Sequence, residues 1–126
     1  MKRIWIAAAF ILIVISLCVF SMAVVKSTYI SVTQSLNAAE AQLEKNDFKS
    51  LEKTTASLEK LWSRRYRALS LFIEHGELDE LSVTLNTLAR YSSLADEEQT
   101  REKIIESRSK INAFYNSQKL TPGNIF

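Results

Sequence analysis

The chain has 126 residues, 47% hydrophobic and 24% charged, with a net charge of +2, one histidine, one cysteine, two glycines and one proline. A lone cysteine excludes an internal disulfide, and a lone histidine leaves too few ligands for a zinc site of the usual kind. Lys2 and Arg3 account for the whole net charge, since fourteen basic and fourteen acidic residues remain from Lys26 onward, and a neutral domain of this kind is not expected to bind nucleic acid.

Residues 4–25 form a run of 22 without a charge, broken only by the mildly polar Ser16, Cys18 and Ser21. As a helix it measures roughly 33 Å, enough to cross a hydrocarbon core of about 30 Å. Lys2 and Arg3 at the start, with Ser21 and Ala23 near the end, also fit a signal peptide cleaved after Ala23. The run is longer than the 7–15 residues of such a segment, and helical sequence continues beyond it, so an uncleaved signal anchor is expected. Basic residues cluster before the span, which predicts a cytoplasmic N-terminus and a C-terminal domain outside the cell membrane. With three residues before the span, no inner signalling domain is expected.

Beyond the span the composition is helical, rich in Leu, Glu, Lys, Ala and Arg. Val32, Leu36, Ala39 and Leu43, spaced by four, three and four, predict an amphipathic helix that continues from the anchor as one rod. Asn46 and Asp47 interrupt it, and either can cap the next helix. That helix carries Phe48, Leu51, Leu58, Leu61, Trp62, Leu69, Phe72 and Ile73, with Thr55 and Arg65 completing the stripe; Trp62 and Phe72 are the expected core anchors. It is expected to close at His75–Gly76, with Gly76 in the left-handed conformation. A third helix shows Leu78, Leu81, Leu85 and Leu88 and fades at Ser92–Ser93. Asp96 caps a fourth, with Ile104, Ile105, Ile111, Phe114 and Tyr115 inward. Pro122 and Gly123 mark a turn or extended tail.

The expected fold is therefore all-α: an N-terminal transmembrane helix followed by a small antiparallel bundle of three to four helices. In numbers, a tail covers 1–3, the anchor 4–25, the bundle 26–119 and a C-terminal tail 120–126.

Two stretches could carry chemistry. In FIEHGELDEL, residues 72–81, His75 and Asp79 are four apart, and Glu74 and Glu80 lie close by. A helix end at Gly76 separates the pair, placing His75 at a C-terminus and Glu77, Asp79 and Glu80 in the next first turn, where helix dipoles favour such groups. A structural corner is the simpler reading and an ion site the sharper one. In KLWSRRYR, residues 60–67, Arg64, Arg65 and Arg67 surround Tyr66; they could hold an anion, or form a solvated face paired with the acids at 74–80. No phosphate loop, nucleophile motif or cofactor signature is present, so no catalysis and no cofactor is expected.

The order of basic start, apolar span, Leu58-x-x-x-Trp62, Phe72-Ile73-x-His75-x-x-Leu78-Asp79-Glu80-Leu81 and closing Asn124-Ile125-Phe126 resembles an uncharacterised family of small bacterial single-pass membrane proteins, described only as a domain of unknown function. The resemblance implies a membrane-anchored helical domain and no activity. The functional expectation is an interaction module accessory to a membrane or envelope complex, with the lipid bilayer and a membrane protein partner or self-association as its contacts. The alternative is a bundle that binds a small ligand or ion near His75, Asp79 and Glu80 or near Arg64, Arg65 and Arg67.

Overall fold

The structure is a computed structural model that describes residues 1–118; the expected C-terminal turn at Pro122–Gly123 and the closing Asn124-Ile125-Phe126 lie outside them. It contains helices α1 (Lys2–Glu44), α2 (Phe48–Leu69), α3 (His75–Ser93) and α4 (Glu97–Gln118), and no strand among the described residues. The all-α expectation holds.

Helix α1 runs 43 residues without a break. In its first half apolar side chains are exposed on every side, and burial begins at Val25, continuing through Thr28, Val32, Leu36, Ala39 and Leu43. One rod thus has two halves of different chemistry: an apolar cylinder that touches the rest of the protein only near its end, long and apolar enough to cross a membrane, and an amphipathic helix facing a core. The second half packs on α2, α2 on α3, α3 on α4, and α4 back on α1, a closed ring with an up-and-down course.

The two turns at the end remote from the apolar half are copies of one design. Asn46 and Ala95 both adopt left-handed φ, 57° and 55°. The amides of Asn46 and Ala95 donate to Leu43 and Ser92, and those of Asp47 and Asp96 to Gln42 and Tyr91. These bonds satisfy carbonyls that a helix end leaves open. Each aspartate then caps the following helix, Oδ1 accepting from the amide of Ser50 or Gln99 at 3.2 Å. The caps expected at Asp47 and Asp96 are present.

The same 49-residue offset that relates Asn46 to Ala95 also relates the inward residues of α2 and α4. Leu51, Thr55 and Leu58 correspond to Thr100, Ile104 and Ser107, all buried. Large side chains on one helix thus match small ones at the same height on the diagonal helix, so each layer fills without overpacking. Below them Trp62 meets Phe114 edge-on, centroids 6.4 Å apart. Among the buried hydroxyls, Thr28, Thr55, Thr84 and Ser92 return their hydrogen to carbonyls four residues back on their own helix, while those of Thr100 and Ser107 have no hydrogen-bond partner among the described residues.

At the other end the expectation fails in detail. Helix α2 stops at Leu69, and the chain turns through residues 70–74. Successive amides of Ser70, Leu71, Phe72 and Ile73 donate to Tyr66, Ala68 and Leu69, the last accepting twice, and Glu74 leaves the helical region with ψ 136°. Gly76, the one glycine among the described residues, does not have positive φ. Gly76 is the second residue of α3, so it closes no helix, and His75 begins a helix where a C-terminal position was expected. Only Glu77 occupies the acidic first turn of α3; Asp79 and Glu80 fall in the second. The three-and-four stripe persists beyond the true helix end, and so Phe72 reads as core although it is 39% exposed. Ile105, 63% exposed, is likewise outward, because α4 already fills that layer with Ile104 and a neighbour one residue on points about 100° away.

Candidate functional site

Because α3 begins at His75, His75 and Asp79 share one helical face after all. That face looks onto α2. The Tyr66 hydroxyl donates to Asp79 Oδ1 at 2.6 Å, and the Tyr66 ring lies 6.4 Å from that of His75, tilted by 45°. One turn deeper, Trp62 Nε1 donates to Ser82 Oγ at 2.7 Å, and Ser82 donates in turn to the Leu78 carbonyl at 3.0 Å. The cleft between the helices encloses about 360 Å³ and is lined by polar groups of Ser63, Tyr66, Arg67, Asp79, Ser82 and Asn86 over a floor of Trp62.

Asp79 raises the Tyr66 phenol above its ordinary value, first by accepting its hydrogen, with desolvation and then the Asp79 charge acting the same way. The phenol is therefore held as a donor. Asp79 is occupied by it, and His75 makes no hydrogen bond among the described residues, so the face holds no paired acid and base. What the cleft offers is recognition chemistry: one guanidinium, one carboxylate, a phenol, two serine hydroxyls and an amide.

The other sequence-predicted residues do not converge here. Glu80 lines a separate groove of about 280 Å³ between α3 and α4, opposite Lys110. Arg64 faces solvent, while Arg65 is half-buried in the stripe between Trp62 and Leu69. No acid among Glu74, Glu77, Asp79 and Glu80 forms an ion pair with Arg64, Arg65 or Arg67 in the described residues, contrary to the expected charged face. The ion pairs cluster on α4 instead: Arg108 reaches Glu40 of α1 at 2.6 Å, and Glu106 receives Lys103 and Lys110 at 2.7 and 3.1 Å. Among the described residues no three of His, Cys, Asp and Glu are placed to share a metal ion.

Tyr66, Ser82 and Asn86 were not anticipated. Their partners lie 13 and 20 residues away for Tyr66 and Ser82, across a corner, where helical periodicity carries no information.

Compared with known proteins, residues 19–125 match a family model described as a domain of unknown function, DUF4363, and the chain belongs to that family. No curated protein and no solved structure matches it.

Proposed function

We propose that this protein is a single-pass membrane protein whose N-terminus is cytoplasmic and whose helical bundle stands outside as a non-enzymatic interaction module, accessory to a membrane or envelope complex. The observation that carries the reading is the continuity of α1. The apolar half and the first bundle helix are one uninterrupted rod, so the bundle is mounted rigidly on the segment that would cross the bilayer. An apolar cylinder exposed on all sides is costly in water and stable in lipid, where a helix satisfies its own backbone groups. Lys2 and Arg3 on the near side supply the orientation, and the helical course through Ala23 favours an anchor that stays attached.

The rod also supports the choice of an interaction module. A partner that tilts or rotates the span must move the bundle with it, because no flexible link intervenes. Two measurements test this reading. The intact mass of the protein extracted from membranes should retain residues 1–23, and chemical crosslinking in membranes should yield a defined larger species. A soluble product starting at Val24, or a monomer free of any partner or copy, overturns it.

A second reading has one specific observation behind it. The α2–α3 cleft brings Arg67, Asp79 and four neutral polar groups around an aromatic floor, the make-up of a site for a small zwitterionic or anionic ligand. Thermal unfolding of the full chain in detergent, with amino acids, anions and wall fragments added singly, tests it: a ligand of the folded state raises the midpoint.

A further inference from the structure

The corner at residues 70–74 lies at the end of the bundle nearest the apolar half of α1, and it does more than reverse the chain. The Phe72 ring meets Phe20 of α1 edge-on, centroids 6.2 Å apart. Phe20 precedes Lys26 by six residues, ~9 Å along the helix axis. It belongs to the uncharged run, so the corner descends alongside the segment we read as the membrane span. Leu71 beside it is 77% exposed, and the bundle offers it no neighbour.

The backbone of the corner is prepared for an apolar medium. Amides of Ser70, Leu71, Phe72 and Ile73 all donate to carbonyls of Tyr66, Ala68 and Leu69 at 2.8–3.3 Å, and the Ser70 hydroxyl donates to the Arg67 carbonyl at 2.9 Å. Unpaired donors are what keeps irregular chain out of lipid; at residues 70–73 they are paired while two large apolar side chains point outward, and the uncapped amides at the start of α3 come after the apolar pair. The remote turns have nothing comparable except Leu94, 64% exposed, which sits between charged helix ends.

We propose that Leu71 and Phe72 enter the outer leaflet of the bilayer beside α1, giving the bundle a second membrane contact that fixes its tilt and its rotation about the span. The occupant is lipid acyl chain and headgroup boundary. Arg67 before the corner and Glu74 after it are both exposed and bracket the apolar pair at headgroup level, so immersion is shallow. The charges near this end are of both signs, with Lys26, Arg64 and Arg67 set against Glu74, Glu77 and Asp79. The contact is accordingly apolar in origin and does not depend on anionic lipid. The inference rests on the reading of α1 as a membrane span.

The test uses the full chain in phosphatidylcholine vesicles. Leu71→Cys and Leu94→Cys are each made in a Cys18→Ser background and labelled with a polarity-sensitive fluorophore; the natural Cys18 is labelled in the parent as a report on the span. Expected is a blue-shifted emission at position 71 and several-fold stronger quenching there by shallow nitroxide lipid than at position 94, with iodide showing the reverse. If Cys18 is quenched by deep nitroxide lipid while positions 71 and 94 behave alike in water, the corner stays out of the bilayer and only this inference falls. Protection of position 71 from both quenchers would assign the patch to a protein partner and overturn the lipid occupant. A Cys18 label that lipid does not reach removes the span itself, and the inference with it.

Discussion

The two ends of the bundle reverse the chain by different means. At the remote end the turn at 45–47 and its counterpart at 94–96 share every backbone hydrogen bond, a left-handed middle position and an aspartate cap. At the end beside the apolar half, the corner at 70–74 uses no left-handed residue, carries no side-chain cap for α3, and turns two apolar side chains outward. The remote turns are self-contained devices that work in water, repeated because the bundle is two like hairpins in succession. The corner joins those hairpins and lies outside the repeat, so it is free to answer to its surroundings.

The largest expected effect separates the core above the corner from the corner itself. Trp62 is 2% exposed, holds Ser82 and meets Phe114; Trp62→Ala should cost ~3–5 kcal/mol. Phe72→Ala, on a half-open ring, should cost about 1 kcal/mol or less in detergent solution. Urea unfolding of both variants in the same micelles measures the gap. Equal losses would mean that the corner is core and that the contrast drawn between the two ends is mistaken.

Opposite substitutions at the two ends should both stabilise. Ala95 has left-handed φ, which costs an alanine roughly 1–2 kcal/mol, so Ala95→Gly should raise stability by about 1 kcal/mol after the added freedom of the unfolded chain is subtracted. Asn46→Gly should do less, since asparagine tolerates that conformation. Gly76 lies inside α3 with ordinary φ, and a Cβ there would meet only Glu74 Oε1 at 3.9 Å. Gly76→Ala should therefore gain ~0.5–1 kcal/mol of helix propensity. Thermal midpoints of the two variants decide it, and a destabilised Gly76→Ala would restore the glycine as a chain-reversal residue.

That last pair shows what the sequence carried and where it misled. Val32, Leu36, Ala39 and Leu43 could be placed because one face of a long helix repeats its chemistry, and Asp47 and Asp96 because a cap needs a particular side chain at one position. The left-handed positions were invisible: Asn46 and Ala95 occupy them without glycine, while Gly76, the obvious candidate, sits in a helix. The corner was misplaced because Phe72 and Ile73 prolong the apolar stripe past the last helical hydrogen bond. As for the cleft, His75, Asp79 and Arg67 were singled out by type, but the Tyr66–Asp79 bond that relates them joins two helices across the corner, and no local spacing encodes it.

The smallest expected effect is the one that pulls the two ends apart by pH. Hydrogen bonds from Ser50, side chain before backbone, hold the Asp47 carboxyl below its ordinary value. A carboxylate with a depressed folded-state value contributes stability that is present above its unfolded value and is lost as pH falls through the folded one, so the remote turn weakens below about pH 4. Glu106, lowered by its hydrogen bonds with Lys103 and then Lys110, shares that acid limb, and Asp47→Asn should flatten it only in part. Tyr66 behaves in the opposite sense. Its phenol is raised in the fold by Asp79, so above about pH 10 the unfolded chain gives up its proton first. The unfolded state then binds fewer protons than the folded one, and stability drops as pH rises. Lys103, held above its ordinary value by its hydrogen bond to Glu106, adds to the same alkaline limb of the midpoint against pH. Tyr66→Phe should therefore flatten that limb in part and leave the acid limb as it was, while Asp47→Asn should flatten the acid limb in part and leave the alkaline one. Thermal midpoints of the full chain in a non-ionic detergent from pH 3 to about pH 11 read both limbs. If Tyr66→Phe leaves the alkaline limb unchanged, the Tyr66–Asp79 bond does not hold in solution, and the α2–α3 cleft loses the contact that shapes it.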